Sequence, residues 1–151
     1  MKKIVFKGVG TAVVTPMKED YSINYSVFDE LLDMQIAGSA DAIVVAGTTG
    51  EGSTLTDDEH IELVRRAVKH VRGRVPVIAG AGSTNTAHAV YLSKECEKAG
   101  ADALLHVTPY YNKASQQGLF LHFNECARST RLPVILYNVP SRTGVNIYPA
   151  T

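Results

Sequence analysis

Short runs of apolar, mostly β-branched residues alternate along this chain with longer stretches whose apolar positions recur three and four apart. Thr11-Ala12-Val13-Val14 is the first short run, closed by Thr15-Pro16. Over 27–36, Phe28, Leu31, Leu32, Met34 and Ile36 predict one face of a helix. Ala42 to Ala46 is the second strand, stopped by Gly47. Thr56-Asp57-Asp58-Glu59 has the form of a capping box. It opens a helix through Ile61, Leu63, Val64, Ala67, Val68 and Val71, which Gly73 is expected to end.

The alternation continues. Val75 to Ala79 is the third strand, followed by Gly80-Ala81-Gly82. Thr86 to Ala99 is helical, with Gly100 as its stop. Ala103 to Val107 is the fourth strand, Gln116 to Ser129 the fourth helix, and Pro133 to Tyr137 the fifth strand. Nearly continuous apolar strands imply burial on both faces, as in a parallel sheet. The strands end near Val14, Ala46, Ala79, Val107 and Tyr137, a period of roughly 30 residues, one βα unit each.

Five strands and four helices fit either a doubly wound sheet or the first part of a closed (β/α)8 TIM barrel. Gly80-Ala81-Gly82 lacks the third glycine and downstream acid of a dinucleotide fingerprint. Polar and aromatic residues gather after several strands rather than at one crevice. Thr15, Thr48-Thr49, Tyr110-Tyr111 and the segment from Tyr137 to Arg142 are examples. That distribution favours the barrel. A complete barrel needs about 200 to 250 residues, so residues 1–151 are expected to be the N-terminal portion of one barrel domain. A small flavodoxin-like domain is the alternative.

Composition narrows the partners. The chain has 15 basic and 15 acidic residues, for a formal net charge of zero. No basic block points to nucleic acid, and no acidic tail to a disordered arm. The expected partner is a small molecule or another copy of the chain. Cys96 and Cys126 belong to no CxxC or Cys/His cluster and read as free thiols in a reducing compartment. Lys2 and Lys3 imitate the start of a signal peptide, but Lys7 and the glycines around it break any apolar core. No apolar run approaches the ~20 residues of a membrane span. The expectation is a cytoplasmic protein, with no membrane partner.

Three segments carry candidate chemistry. Gly47-Thr48-Thr49-Gly50-Glu51 offers two small hydroxyls and open backbone N–H groups, suited to a carboxylate or phosphate. A structural turn explains it equally well. Thr108-Pro109-Tyr110-Tyr111-Asn112 places two phenols at a strand end, where tyrosines transfer protons or, more often, pack. Tyr137-Asn138-Val139-Pro140-Ser141-Arg142-Thr143-Gly144 puts an arginine in a Pro/Gly-bounded loop, suited to bidentate carboxylate binding or to a surface ion pair. His60, His70, His88, His106 and His122 show no His-x-x-x-His or His-Glu-x-x-His spacing, so no metal site is expected. His60 and His106 read as structural.

Together the three segments, in this order and spacing, resemble the dihydrodipicolinate synthase family. Val13-Val14-Thr15-Pro16-Met17 and Val77 to Gly82 extend the likeness from about Gly8 to the last residue. The resemblance implies a class I lyase on a (β/α)8 barrel. It condenses pyruvate with aspartate semialdehyde in diaminopimelate and lysine biosynthesis, through a lysine Schiff base and with no added cofactor. Pyruvate bound as an imine loses a methyl proton and attacks the aldehyde.

By match, Tyr137 shuttles protons near the imine, and Thr48 links it to Tyr111 in a hydroxyl relay. Tyr111 reaches into a neighbouring subunit's site, which implies a homo-oligomer, dimer or tetramer. Thr48 and Thr49 hold the pyruvate carboxylate, and Arg142 binds that of the semialdehyde. N-acetylneuraminate lyase, a related enzyme of the same barrel and imine chemistry, typically lacks this arginine and has Ser-Thr in place of Thr48-Thr49. It and the sugar-acid aldolases are alternatives, as is a non-catalytic half-barrel.

The implied imine lysine is not in this sequence. Extending the roughly 30-residue period puts the next strand end at about residue 165 to 170. None of the lysines present stands at a strand's C-terminal end; Lys113, the nearest, is in the loop after Tyr111. The 151 residues alone are therefore expected to be inactive. Some members of the resembled family are inhibited by lysine. His88 stands where an acid often holds that effector's amine, which implies weak inhibition.

Overall fold

The computed structural model describes residues 4–151. Five strands alternate with helices: β1 (Gly10–Ala12), α1 (Tyr25–Ala37), β2 (Ala42–Val45), α2 (Asp57–Val71), β3 (Val77–Gly80), α3 (Thr86–Ala99), β4 (Ala103–Val107), α4 (Gln116–Arg128), β5 (Val134–Tyr137) and a four-residue α5 (Pro140–Thr143). All neighbouring strands pair in parallel, and their order in the sheet is the order in the chain, β1-β2-β3-β4-β5. A doubly wound sheet must reverse its order at a switch point. Here every crossover steps the same way, and right-handed crossovers then place all helices on one face. The sheet is therefore a barrel segment.

Strand alternation sorts the side chains into two layers. Ile43, Val45, Val77, Ala79 and Leu104 point to the helices and join Phe28, Leu32, Leu63, Val64 and Cys96 in the main core. Ala42, Ile78 and Ala103, flanked by Val44, Leu105 and Ile135, form a smaller cluster on the concave face. The edge strands are less covered than β2 to β4: Leu136 of β5 stays 49% exposed.

The helices begin where their caps allow. Thr56 accepts from the Glu59 N–H while Glu59 reaches back to the Thr56 N–H, the predicted capping box of α2. Asn24, Asn85 and Ser115 cap α1, α3 and α4 through side-chain oxygens. Each such cap is worth roughly 1 kcal/mol.

Three boundaries differ from the sequence pattern. β1 starts and ends earlier than the apolar run 11–14. Val13 still donates to the Val44 carbonyl, at 3.1 Å, before the chain leaves the ladder at Thr15-Pro16. α2 closes on Arg72, itself left-handed at φ 52, one residue before Gly73. The loop expected around Arg142 is instead one helical turn, α5, with Pro140 at its start and Gly144 as its left-handed stop.

Candidate active site

Parallel strands deliver their C-terminal ends to one rim of the sheet, and a cleft of about 660 Å3 opens there. Its walls come from several loops: Ala46 to Thr48 after β2, Gly80 and Gly82 after β3, Tyr110 after β4, and Tyr137, Val139 and Arg142 after β5.

The turn after β2 is shaped by close backbone packing. Ala46 is left-handed, at φ 54. A Cβ on Gly52 or on Gly80 would lie 2.1 or 2.3 Å from the Ala46 carbonyl oxygen, so neither position admits a side chain. Glu51, also left-handed, donates its N–H to the Thr48 carbonyl at 3.2 Å, and Gly52 donates to Gly47 at 3.1 Å. Thr15 Oγ1 donates to the Gly50 carbonyl at 2.7 Å. Its hydroxyl therefore braces the turn rather than facing the cleft. Thr48 and Thr49 stay exposed at the turn's tip.

Tyr137 ends β5 two residues after Ile135, on the concave face, and lines the cleft. Arg142 follows on α5 and also lines it. No carboxylate lies within ion-pair distance of Arg142 among the described residues. A guanidinium so placed is available to an anionic ligand.

The expected residues are only partly gathered. Thr48, Tyr137 and Arg142 share the cleft; Thr49 and Tyr111 do not line it. Tyr111 is 92% exposed and left-handed at φ 72, while Tyr110 faces the cleft. No hydrogen bond joins the hydroxyls of Thr48, Tyr111 and Tyr137 among the described residues, so the hydroxyl relay is not assembled within this one chain.

Two histidines that the sequence does not assign to the cleft, His60 read as structural and His88 as an effector position, stand on the same wall. His60 is buried on α2, and its Nε2–H donates to the Gly80 carbonyl at 2.7 Å. Burial holds its pKa below the ordinary value. His88 on α3 stands between Asp57, 2.8 Å from Nε2, and Ser83, 3.2 Å from Nδ1. Neither shares a short motif with the strand-end segments, so only the fold brings them to the cleft. The two cysteines are unpaired and fully buried; burial pushes the Cys96 thiol up to about 12 and Cys126 up to about 11. Thiols so raised are not nucleophiles near neutral pH.

A model of the dihydrodipicolinate synthetase family matches residues 5–151. The chain belongs to this family. It is 58% identical over 147 residues to the 4-hydroxy-tetrahydrodipicolinate synthase of Lachnoclostridium phytofermentans, covering 97% of this chain and 50% of that protein. Identity to the same-named protein of Caldicellulosiruptor saccharolyticus is 54%, with the same coverage. The solved 4-hydroxy-tetrahydrodipicolinate synthase of the methanotroph Methylacidiphilum fumariolicum SolV superposes with a TM-score of 0.92 at 49% identity, over 97% of this chain and 48% of that one. The chain thus spans about half the length of the curated relatives it matches. Its five strands and four longer helices are the N-terminal part of the family's (β/α)8 barrel. No helix among the described residues is long and apolar enough to cross a membrane.

Proposed function

We propose that these residues supply half of the active site of a lyase that condenses pyruvate with L-aspartate semialdehyde through a lysine imine. The observation that carries this reading is the convergence on one cleft of Thr48, from the turn after β2, with Tyr137 at the end of β5 and Arg142 on α5. Thr48, in the cleft, and Thr49, beside it at the exposed tip of the same turn, hold the pyruvate carboxylate with hydroxyls and turn N–H groups. Tyr137, on the concave wall, carries protons to and from the imine. Arg142 takes the semialdehyde carboxylate in a bidentate pair at the rim.

The imine-forming lysine lies outside residues 1–151 in this reading, so these residues by themselves trap no pyruvate. Exposure of Tyr111 supports a role outside its own cleft. The relay Tyr137–Thr48–Tyr111 closes when a second copy presents its Tyr111, which makes the active unit a homo-oligomer. Arg142 favours the semialdehyde over the longer sugar acids of related aldolases, because one fixed guanidinium suits a short carboxylate-bearing aldehyde.

Borohydride reduction in the presence of pyruvate tests the reading. The whole protein should gain the mass of a reduced pyruvate adduct on one lysine beyond Thr151. An adduct on any lysine within residues 1–151, or none at all, would overturn it.

A further inference from the structure

We propose that His106, His122 and Cys126 bind Zn2+ in a buried site between the sheet and its helices, outside the cleft. His106 projects from β4 on the helix side, opposite to its neighbours Leu105 and Val107, which line the cleft. His122 and Cys126, one helical turn apart on α4, face it. One ligand atom from each of the three lies within 4.8 Å of the others, and His122 Nε2 is 3.9 Å from Cys126 Sγ. His106 and Cys126 are fully buried, and His122 is 5% exposed.

The hydrogen bonds fix which atoms are free. Ser93 Oγ donates its single proton to the Ala89 carbonyl at 2.6 Å. Toward His106 Nε2, 3.1 Å away, it can only accept. His106 therefore carries its proton on Nε2 and keeps a lone pair on Nδ1. That Nδ1 is buried with no hydrogen-bond partner among the described residues. An orphaned acceptor in a buried core is costly unless something occupies it. His122 is held in the same manner, its Nδ1 2.9 Å from Thr86 Oγ1, which leaves Nε2 toward the thiol. Each imidazole is thus anchored through one ring nitrogen by a hydroxyl of α3, which leaves the other for a metal, as in metal-ligating histidines.

The donor set selects the ion. Two imidazole nitrogens and one sulfur suit Zn2+, and the absence of a carboxylate from the trio rules against calcium or magnesium. Bonds of about 2.0 to 2.3 Å in a tetrahedron bring ligand atoms to about 3.3–3.7 Å of one another. The trio needs to close by only about 1 Å. On binding, the Cys126 thiol gives up its proton to solvent and its sulfur takes the metal. The ion would clip α4 to β4, a stabilising role distinct from the chemistry of the cleft. The expectation of no metal site rested on His–His spacings. The informative spacing is His122-x-x-x-Cys126 on one helix, completed by a strand residue sixteen positions earlier.

The test uses the whole protein, stripped with a chelator and titrated with Co2+ and then Zn2+. One Co2+ per chain should bind with a thiolate charge-transfer band that Zn2+ bleaches, and Zn2+ should raise the thermal midpoint. Cys126→Ala should lose the band and the bound ion. Ser93→Ala, which keeps all three ligands but unpins His106, should bind roughly 10–100-fold more weakly. Should Cys126→Ala not fold, His106→Leu serves in its place. A stripped protein that retains no Co2+ or Zn2+ would overturn the proposal, as would equal retention by the variants, which marks a surface site.

Discussion

The backbone N–H of Tyr111 donates to the carbonyl of Thr143 at 3.1 Å, tying the loop after β4 to the turn after β5. Thr108 adds a second tie, since its N–H and its hydroxyl both meet the Tyr137 carbonyl, at 3.0 and 3.1 Å. A left-handed tyrosine persists only where its surroundings over-determine it, and these bonds do so for Tyr111. The proposed relay tyrosines and the proposed carboxylate-binding arginine are therefore placed by shared backbone contacts.

Thr108→Val removes one of those contacts. Thr108 is fully buried, and the substitution keeps its shape while deleting the hydroxyl donor. The Tyr137 carbonyl retains the backbone N–H, so the loss is that of one hydrogen bond, about 1 kcal/mol. Urea unfolding of the whole protein should report it, with pyruvate trapping by borohydride retained. An unchanged midpoint would mean that the hydroxyl contributes nothing to the tie.

Arg142 carries its proposed role alone, with no carboxylate neighbour among the described residues to share it. Arg142→Ala should weaken use of the semialdehyde by about 10–100-fold, the loss of a charge-assisted pair worth roughly 1.5–3 kcal/mol. The effect should appear in KM for the semialdehyde and leave pyruvate imine formation near its original level. Equal damage to both substrates would remove Arg142 from the second-substrate role.

Tyr137→Phe keeps the ring on the concave wall and removes the proposed proton carrier. kcat should fall by roughly 10²–10⁴, the range for losing a positioned general acid–base. Stability should change little, because no hydrogen bond of the Tyr137 hydroxyl holds the fold among the described residues. A variant with wild-type kcat would reassign the shuttle.

Gly80 is pressed from two sides: a Cβ there would lie 2.3 Å from the Ala46 carbonyl oxygen, and its own carbonyl accepts from His60. In Gly80→Ala the new methyl meets backbone, which cannot rotate away. The cost should be at least 1–3 kcal/mol, as for overpacked cores, with the β2 turn displaced. Thermal unfolding measures the first effect. A stability equal to that of the parent would mean that the Ala46 turn yields freely.

How much of this was written in the sequence depends on whether the signal is local. α3 and β4 fall on their expected residues because Gly100 and an unbroken apolar run mark them within a few positions. The capping box of α2 is equally local. The turn α5 was missed because four residues are too few for a periodicity and Pro140 reads as a loop residue. Thr48, Tyr137 and Arg142 were singled out by residue type at strand ends, and the fold brings them together. His60 and the trio of His106, His122 and Cys126 do not read as sites. Apart from the four-residue step from His122 to Cys126, the contacts that hold them span 13 to 36 positions and form only once the helices pack on the sheet.

His60 offers a test of the packing behind the cleft. It is 4% exposed, and burial lowers its pKa from 6.5. The Gly80 and Gly52 carbonyls and Asp57 pull the other way, His88 adds a little to the lowering, and burial prevails. The unfolded chain then takes up a proton near 6.5, while the folded chain resists until more acid conditions. Below that pH the unfolded state holds more protons, so stability must fall as the solution is acidified through 6.5. His60→Gln keeps a donor for the Gly80 carbonyl but cannot titrate. The urea midpoint of the parent should drop between about pH 7 and 5.5, where histidine titrates and most carboxylates do not, and the drop should be shallower in the variant. Parallel curves for the two proteins would mean that His60 titrates alike in both states and that the wall between α2 and β3 admits water.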